Sequence, residues 1–196
     1  MNEARTESQL PELANGRVHE ISGAAALAFG LVSAHRGTVL ICGSPAQVAS
    51  IHPEGAAHFI DPRQIITVPC PLRADALWTA ETALRSGSVD CVMAILGRTP
   101  GLTELRRLQL AAQDGKALGL LLTEQPAANS AAETRWYCQP ALSKTPDSTL
   151  LRLSLYKNKR GTMGHWILDV KGDKDTLDLH ATPVREPDGT GWHARR

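Results

Sequence analysis

Gly23 stands where a phosphate-binding loop would begin, after the apolar run Val18 to Ser22 and ahead of the small and apolar residues Ala24 to His35, which Gly37 closes. In a working loop of the form G-x-x-x-x-G-K-[ST], glycine amides cradle the phosphates, the lysine reaches the terminal phosphates and the hydroxyl binds magnesium. Counting on from Gly23, Ala28 takes the second glycine position, Phe29 the lysine position and Gly30 that of the Ser or Thr. The cation and the magnesium hydroxyl are both missing. An NTPase site also needs an apolar strand that ends in an acid, yet "VDCVMAIL" ends in Ile95 and Leu96, with Asp90 at its start. Asp75 or Glu81 cannot compensate, because a base has nothing to act on without a bound phosphate. The loop therefore reads as an ordinary helix start with Phe29 packed on a sheet, and it calls for no nucleotide, metal or other cofactor.

A second group with possible chemistry is "YKNKRG", Tyr156 to Gly161, which crowds Lys157, Lys159 and Arg160 around Asn158 in a hairpin position. Two readings stand: contact with DNA phosphates or an acidic partner, since a local cluster gains counterion-release affinity even at low net charge, or a solvated turn. Arg106 and Arg107 lie on one helix with an apolar stripe, either as its solvent edge or as a partner contact. Trp78 and Trp136 read as core, and Trp166 sits on a strand whose outer face the pattern does not assign. Cys42, Cys70, Cys91 and Cys138 form no C-x-x-C pair, and three of them fall in or at the end of apolar runs, which predicts reduced, buried thiols. The seven histidines show no H-E-x-x-H spacing, and no Ser, His and Asp are spaced to favour a catalytic triad.

These residues need a frame, and hydrophobic periodicity supplies one. Strands are predicted at Val18–Ser22, Thr38–Gly43, Ile65–Cys70, Val89–Gly97 and Ala117–Glu124. The second and third read as covered on both faces. Between them fall helices at Ala24–His35, Leu72–Gly87 and about Thr103–Asp114, with a short helix and loops from Ser44 to Gln64. In the Leu72–Gly87 helix the inner stripe is read as Leu72, Ala76, Trp78, Ala80, Ala83 and Leu84; in the next it is Leu105, Leu108 and Ala112. Strands alternating with helices mark a parallel sheet with helices on its faces. Beyond Pro126, "TRWYCQPAL", "TLLRLSLYKN" and "GHWILDVKG" alternate apolar and polar residues, so the parallel core ends in antiparallel strands. The fold class is α/β.

With 196 residues, 42% of them hydrophobic, the chain suits one domain, with residues 1–15 a polar N-terminal segment and 172–196 a flexible tail in which only "TLDLH" can form a further strand. The formal charge of +1 supplies no global drive toward nucleic acid or an anionic membrane. The polar, acidic start and the lack of a long apolar run predict a soluble, cytoplasmic protein with no membrane partner.

In sequence and in order, "VHEISG", "LRADALWTAETALRSGSVDCVMAIL" and "LRLSLYKNKRG" resemble the core of the RecA/RadA recombinase superfamily. The nearer resemblance is to the ImuA family, a SulA-like branch with a degenerate nucleotide loop, through "ADALW" at Ala74–Trp78, "RRLQLAA" at Arg106–Ala112 and "TRW" at Thr134–Trp136. It covers about Arg17 to Lys171. The resemblance implies a RecA-like sheet and a non-enzymatic accessory role in translesion synthesis induced by DNA damage in the SOS response. Its implied partners are an ImuB-like Y-family polymerase homologue, an error-prone replicative-type polymerase, and RecA and DNA. The residue matching the RecA catalytic glutamate, on an ungapped count back from "RSG", is Ala74, which implies loss of ATP hydrolysis. Two other functions remain open: a SulA-like division inhibitor that binds FtsZ, and a RecA-like DNA-dependent ATPase, against which the missing lysine and acid argue.

Overall fold

The computed structural model describes residues 10–34, 37–125, 130–143, 145, 148–172 and 174–185. It is an α/β fold built on one nine-stranded mixed sheet. The strands are β1 (Val18–Ser22), β2 (Val39–Gly43), β3 (Ile65–Pro69), β4 (Cys91–Gly97), β5 (Leu118–Thr123), β6 (Thr134–Ala141), β7 (Ser148–Asn158), β8 (Gly164–Lys171) and β9 (Asp178–Val184). The helices are α1 (Ala26–Ser33), α2 (Pro45–Ala49), α3 (Pro53–Ala56), α4 (Arg73–Ser86) and α5 (Leu102–Gly115), with a 3-10 turn at Pro62–Gln64. In space the strands run β3-β2-β4-β5-β1-β6-β7-β8-β9. Pairing is parallel from β3 across to β6 and antiparallel from β6 to β9. The predicted change of direction therefore falls on β6, which is parallel to β1 on one side and antiparallel to β7 on the other.

Two apolar layers follow from the period-two alternation of strands buried on both faces. Val39 and Ile41 of β2 pack with α1, Met93 and Trp136, while Leu40 and Cys42 pack with α4 and α5. The inner stripe of α5 is Leu105, Leu108, Ala111 and Ala112, which includes the three predicted positions. At their C-terminal ends α4 and α5 nearly touch: a Cβ on Gly115 would lie 1.9 Å from the Leu84 carbonyl oxygen. α4 itself stops at Gly87, in the left-handed conformation at φ 63°.

Three expectations are corrected. β3 is not covered on both faces: it is the sheet edge, and Ile66 is 45% exposed. The first helix begins at Ala26, because residues 23–25 form the turn that leaves β1. Trp78 is not core; it is 65% exposed, as is Leu72 at 64%, and the buried stripe of α4 is Ala76, Ala80 and Leu84. Of the N-terminal segment, Leu10 and Leu13 pack on the core beside α1, while residues 1–9 lie outside the described residues. The further strand read at "TLDLH" forms as β9, displaced toward Val184, and residues 186–196 lie outside the described residues. Among the described residues no helix is long and apolar enough to cross a membrane.

Candidate functional site

The β1–α1 turn is where the motif count sets a degenerate phosphate loop, and its geometry shows what its backbone amides bond. Gly23 has φ +98°, and a Cβ there would lie 2.2 Å from the Cys138 carbonyl oxygen of β6. That same carbonyl accepts the Ala25 N–H at 3.1 Å. The Ala26 N–H goes to the Gly23 carbonyl at 3.1 Å, and the Phe29 N–H to Ala25 at 3.0 Å. These amides bond protein oxygens, so the turn clips α1 to β6. Ala28 packs against the core, and Phe29, 2% exposed, sets its ring 5.3 Å from that of Trp136. At Gly30 a Cβ would lie 3.2 Å from the Met93 sulfur, so a Ser or Thr hydroxyl would be pressed into β4.

The other half of the site is equally occupied. Leu96 is buried at the end of β4, and Asp90, at the opposite end, accepts the Thr38 N–H at 2.7 Å. Ala74 lies on α4, in a groove with Trp78. Asp75 accepts the Leu72 N–H at 3.3 Å, and Glu81 is held by Arg107 at 2.6 Å and Arg85 at 3.1 Å. None of these carboxylates faces the β1–α1 turn.

The basic hairpin turns inward. Lys157 donates to the Ser130 carbonyl, Lys159 donates to the Ala131 carbonyl at 2.6 Å, and Arg160 pairs with Glu133 at 2.7 Å. The Lys159 backbone N–H adds a bond to the Glu133 carbonyl at 3.1 Å, and Asn158 shapes the turn by accepting the Arg160 N–H at 3.0 Å. Burial lowers the pKa of Lys157, with the neighbouring charges of Lys159 and Arg135 acting the same way. The cluster thus straps the chain entering β6. Arg160 remains 61% exposed along its side chain and so still presents charge outward.

Arg106 and Arg107 are both exposed on α5, and Arg107 forms one wall of a groove of about 220 Å³ between α4 and α5, lined also by Ala74, Leu77, Trp78, Glu104 and Leu108. Across it Arg73 pairs with Glu104 at 3.2 Å. Trp136 is core as predicted, and Trp166 is buried beside it, at 5.9 Å between rings. All four cysteines are free, buried thiols, and burial pushes the Cys42 thiol up to about 12.

A buried polar cluster escaped the sequence reading. Glu20, fully buried in β1, is register partner to Arg135 in β6, with Nε to Oε1 at 4.0 Å. Thr99 donates its hydroxyl to Glu20 at 2.9 Å, and the Arg135 guanidinium lies 4.8 Å over the Tyr156 ring. Burial pushes the Tyr156 phenol up to about 12, with Arg135 opposing and Glu20 adding to the shift. On the other face of β1, His19 is fully buried between the Thr134 hydroxyl at 2.7 Å and the Ala14 carbonyl at 3.1 Å. Because that carbonyl can only accept, Nε2 carries the proton and Nδ1 accepts from Thr134, whose oxygen also takes the Trp136 indole N–H at 2.8 Å. Desolvation lowers the His19 pKa to about 4. The signal in the sequence was "HE" inside an apolar strand, since two ionisable residues enclosed by Val18 and Ile21 must find partners.

No protein-family model matches this sequence, and no curated protein matches it either.

Proposed function

We propose that the chain is a non-enzymatic accessory of DNA-damage-induced translesion synthesis, a nucleotide-independent relative of the RecA-like fold that works by holding other proteins. The observation that carries the reading is the β1–α1 turn: its amides are bonded to Cys138, Gly23 and Ala25, and Phe29, at the lysine position of the motif count, is packed against Trp136. A phosphate turn that serves packing supports a reading in which the chain acts through its surface. The α4–α5 face, with Trp78 and Arg107 exposed around a groove, has the residue types that dominate protein contacts. The partner class follows from the resemblance at "ADALW", "RRLQLAA" and "TRW": an ImuB-like Y-family polymerase homologue.

The test is capture at native expression level, after DNA damage, in cells that carry an ImuB-like protein. That protein should co-purify with the tagged chain, and a strain lacking the chain should lose damage-induced mutagenesis. Normal mutagenesis together with no co-purification overturns the reading; recovery of FtsZ instead supports a division inhibitor.

A further inference from the structure

Along its outer crest, α4 presents Asp75, Trp78, Thr82 and Arg85 at spacings of three, four and three residues, the spacing of a helix that packs along another at about 20°. The flanking charges are already matched within the chain: Arg73 with Glu104, and Arg107 with Glu81. What the crest offers outward is an anion at Asp75, which also accepts the Leu72 N–H, an indole at Trp78 that is 65% exposed, and a cation at Arg85 that is half-exposed while paired with Glu81 at 3.1 Å and Asp114 at 3.7 Å. This order complements itself when reversed. In an antiparallel pair centred on Ala80, Asp75 of one copy meets Arg85 of the other, and each Trp78 lies over Thr82 rather than against its own counterpart. A two-fold contact requires one patch to be its own complement, and this register meets the requirement at both ends.

We propose that α4 is the contact face between two copies of this chain, packed antiparallel across Trp78 with the reciprocal pair Asp75 and Arg85 fixing the register. The apolar groove beside Trp78, walled by Ala74, Leu77 and Leu108, is covered in the same contact. The pairing stands on the crest alone and does not depend on the function proposed above, whose protein partner would compete with the second copy for this same face.

Sedimentation velocity over a concentration series should show the mass rising from 21.1 kDa toward twice that value. In a Trp192→Phe chain, whose other tryptophans, Trp136 and Trp166, are buried, the quenchable emission belongs to Trp78 and should shift to the blue and become harder to quench over the same range. Trp78→Ala should weaken association about tenfold or more. Asp75→Arg and Arg85→Asp should each do so by placing like charges together, and the double variant should associate again. Circular dichroism establishes that each variant is folded. A chain that stays monomeric to its solubility limit overturns the proposal. So does a dimer whose Trp78 emission does not change, or a folded double variant that fails to recover association lost in both single variants. Monomers whose Trp78 is shielded only by a polymerase partner assign the crest to that partner and likewise overturn it.

Discussion

Phe29 and Trp136 meet with ring centroids 5.3 Å apart and planes tilted by 54°, and Trp166 adds a third ring 5.9 Å from Trp136, tilted by 47°. This row joins α1 to β6 and β8 through the centre of one apolar layer. It holds Phe29, which the motif count sets at the lysine position of a phosphate loop, inside that layer.

Phe29→Lys should accordingly damage the fold without creating a nucleotide site. Replacing a buried aromatic costs about 3–5 kcal/mol, and an ammonium in its place adds desolvation. Urea unfolding measures the loss. Calorimetry with magnesium and ATP should show no micromolar binding for either form, and such binding by the wild-type chain would contradict the packing argument.

Gly23→Ala should destabilise more than its single methyl suggests. The left-handed φ of +98° strains any L side chain, and the added Cβ would lie 2.2 Å from the Cys138 oxygen. Part of the turn must move, and the Ala25 bond to Cys138 goes with it. A loss of about 2–4 kcal/mol is expected. Amide exchange should show Ala25 opening before the rest of α1; unchanged protection there would mean that the turn does not depend on its glycine.

The alternation of strands and helices was legible because each element carries its own period, and the antiparallel end announced itself through two-residue alternation. Neighbour number was not legible. "IITVPC" and "TVLICG" are both rich in β-branched residues, yet among the described residues β2 lies between two strands and β3 has only β2 beside it. Trp78 misled for a different reason. It is two residues from Ala76 and from Ala80, and a helix turns about 200° over two residues, so an indole there must face away from the stripe those alanines define. The hairpin cations read as a DNA or partner contact or a solvated turn, and not as a strap, because Ser130, Ala131 and Glu133, which hold them, follow a different strand, and Glu20 hid its partner Arg135 in the same way.

His19 makes stability depend on mildly acid pH. Its folded pKa, about 4, lies below the ordinary 6.5, so between those values the unfolded chain binds more protons than the folded one. Stability therefore rises with pH across this window and is lost as pH falls through it. The full effect is roughly 3 kcal/mol once pH is below both values. His19→Gln, which keeps a donor and an acceptor, should flatten the slope of unfolding free energy against pH between 4 and 6.5. An identical slope in the variant would assign the acid sensitivity to other groups.

Removing Lys157, Lys159 and Arg160 together tests whether the hairpin is a strap or a contact surface. A solvated turn would lose less than about 0.5 kcal/mol on replacement by alanine. A strap loses bonds to Ser130 and Ala131 and the ion pair to Glu133, leaving a largely buried carboxylate without its cation. Discounting for the exposure of Lys159 and Arg160, a loss of about 1–2 kcal/mol is expected. Amide exchange should rise at residues 130–133 and at the start of β6, while the parallel core keeps its protection. DNA supplies the opposing readout, since each phosphate contact removed from a duplex complex lowers the salt slope by about 0.9. Lys157 and Lys159 already donate to carbonyls, so the slope should fall by no more than the single contact that exposed Arg160 could make. A folded variant with unchanged stability and a slope reduced by three contacts would show that the cations leave the 130–133 segment to bind phosphate.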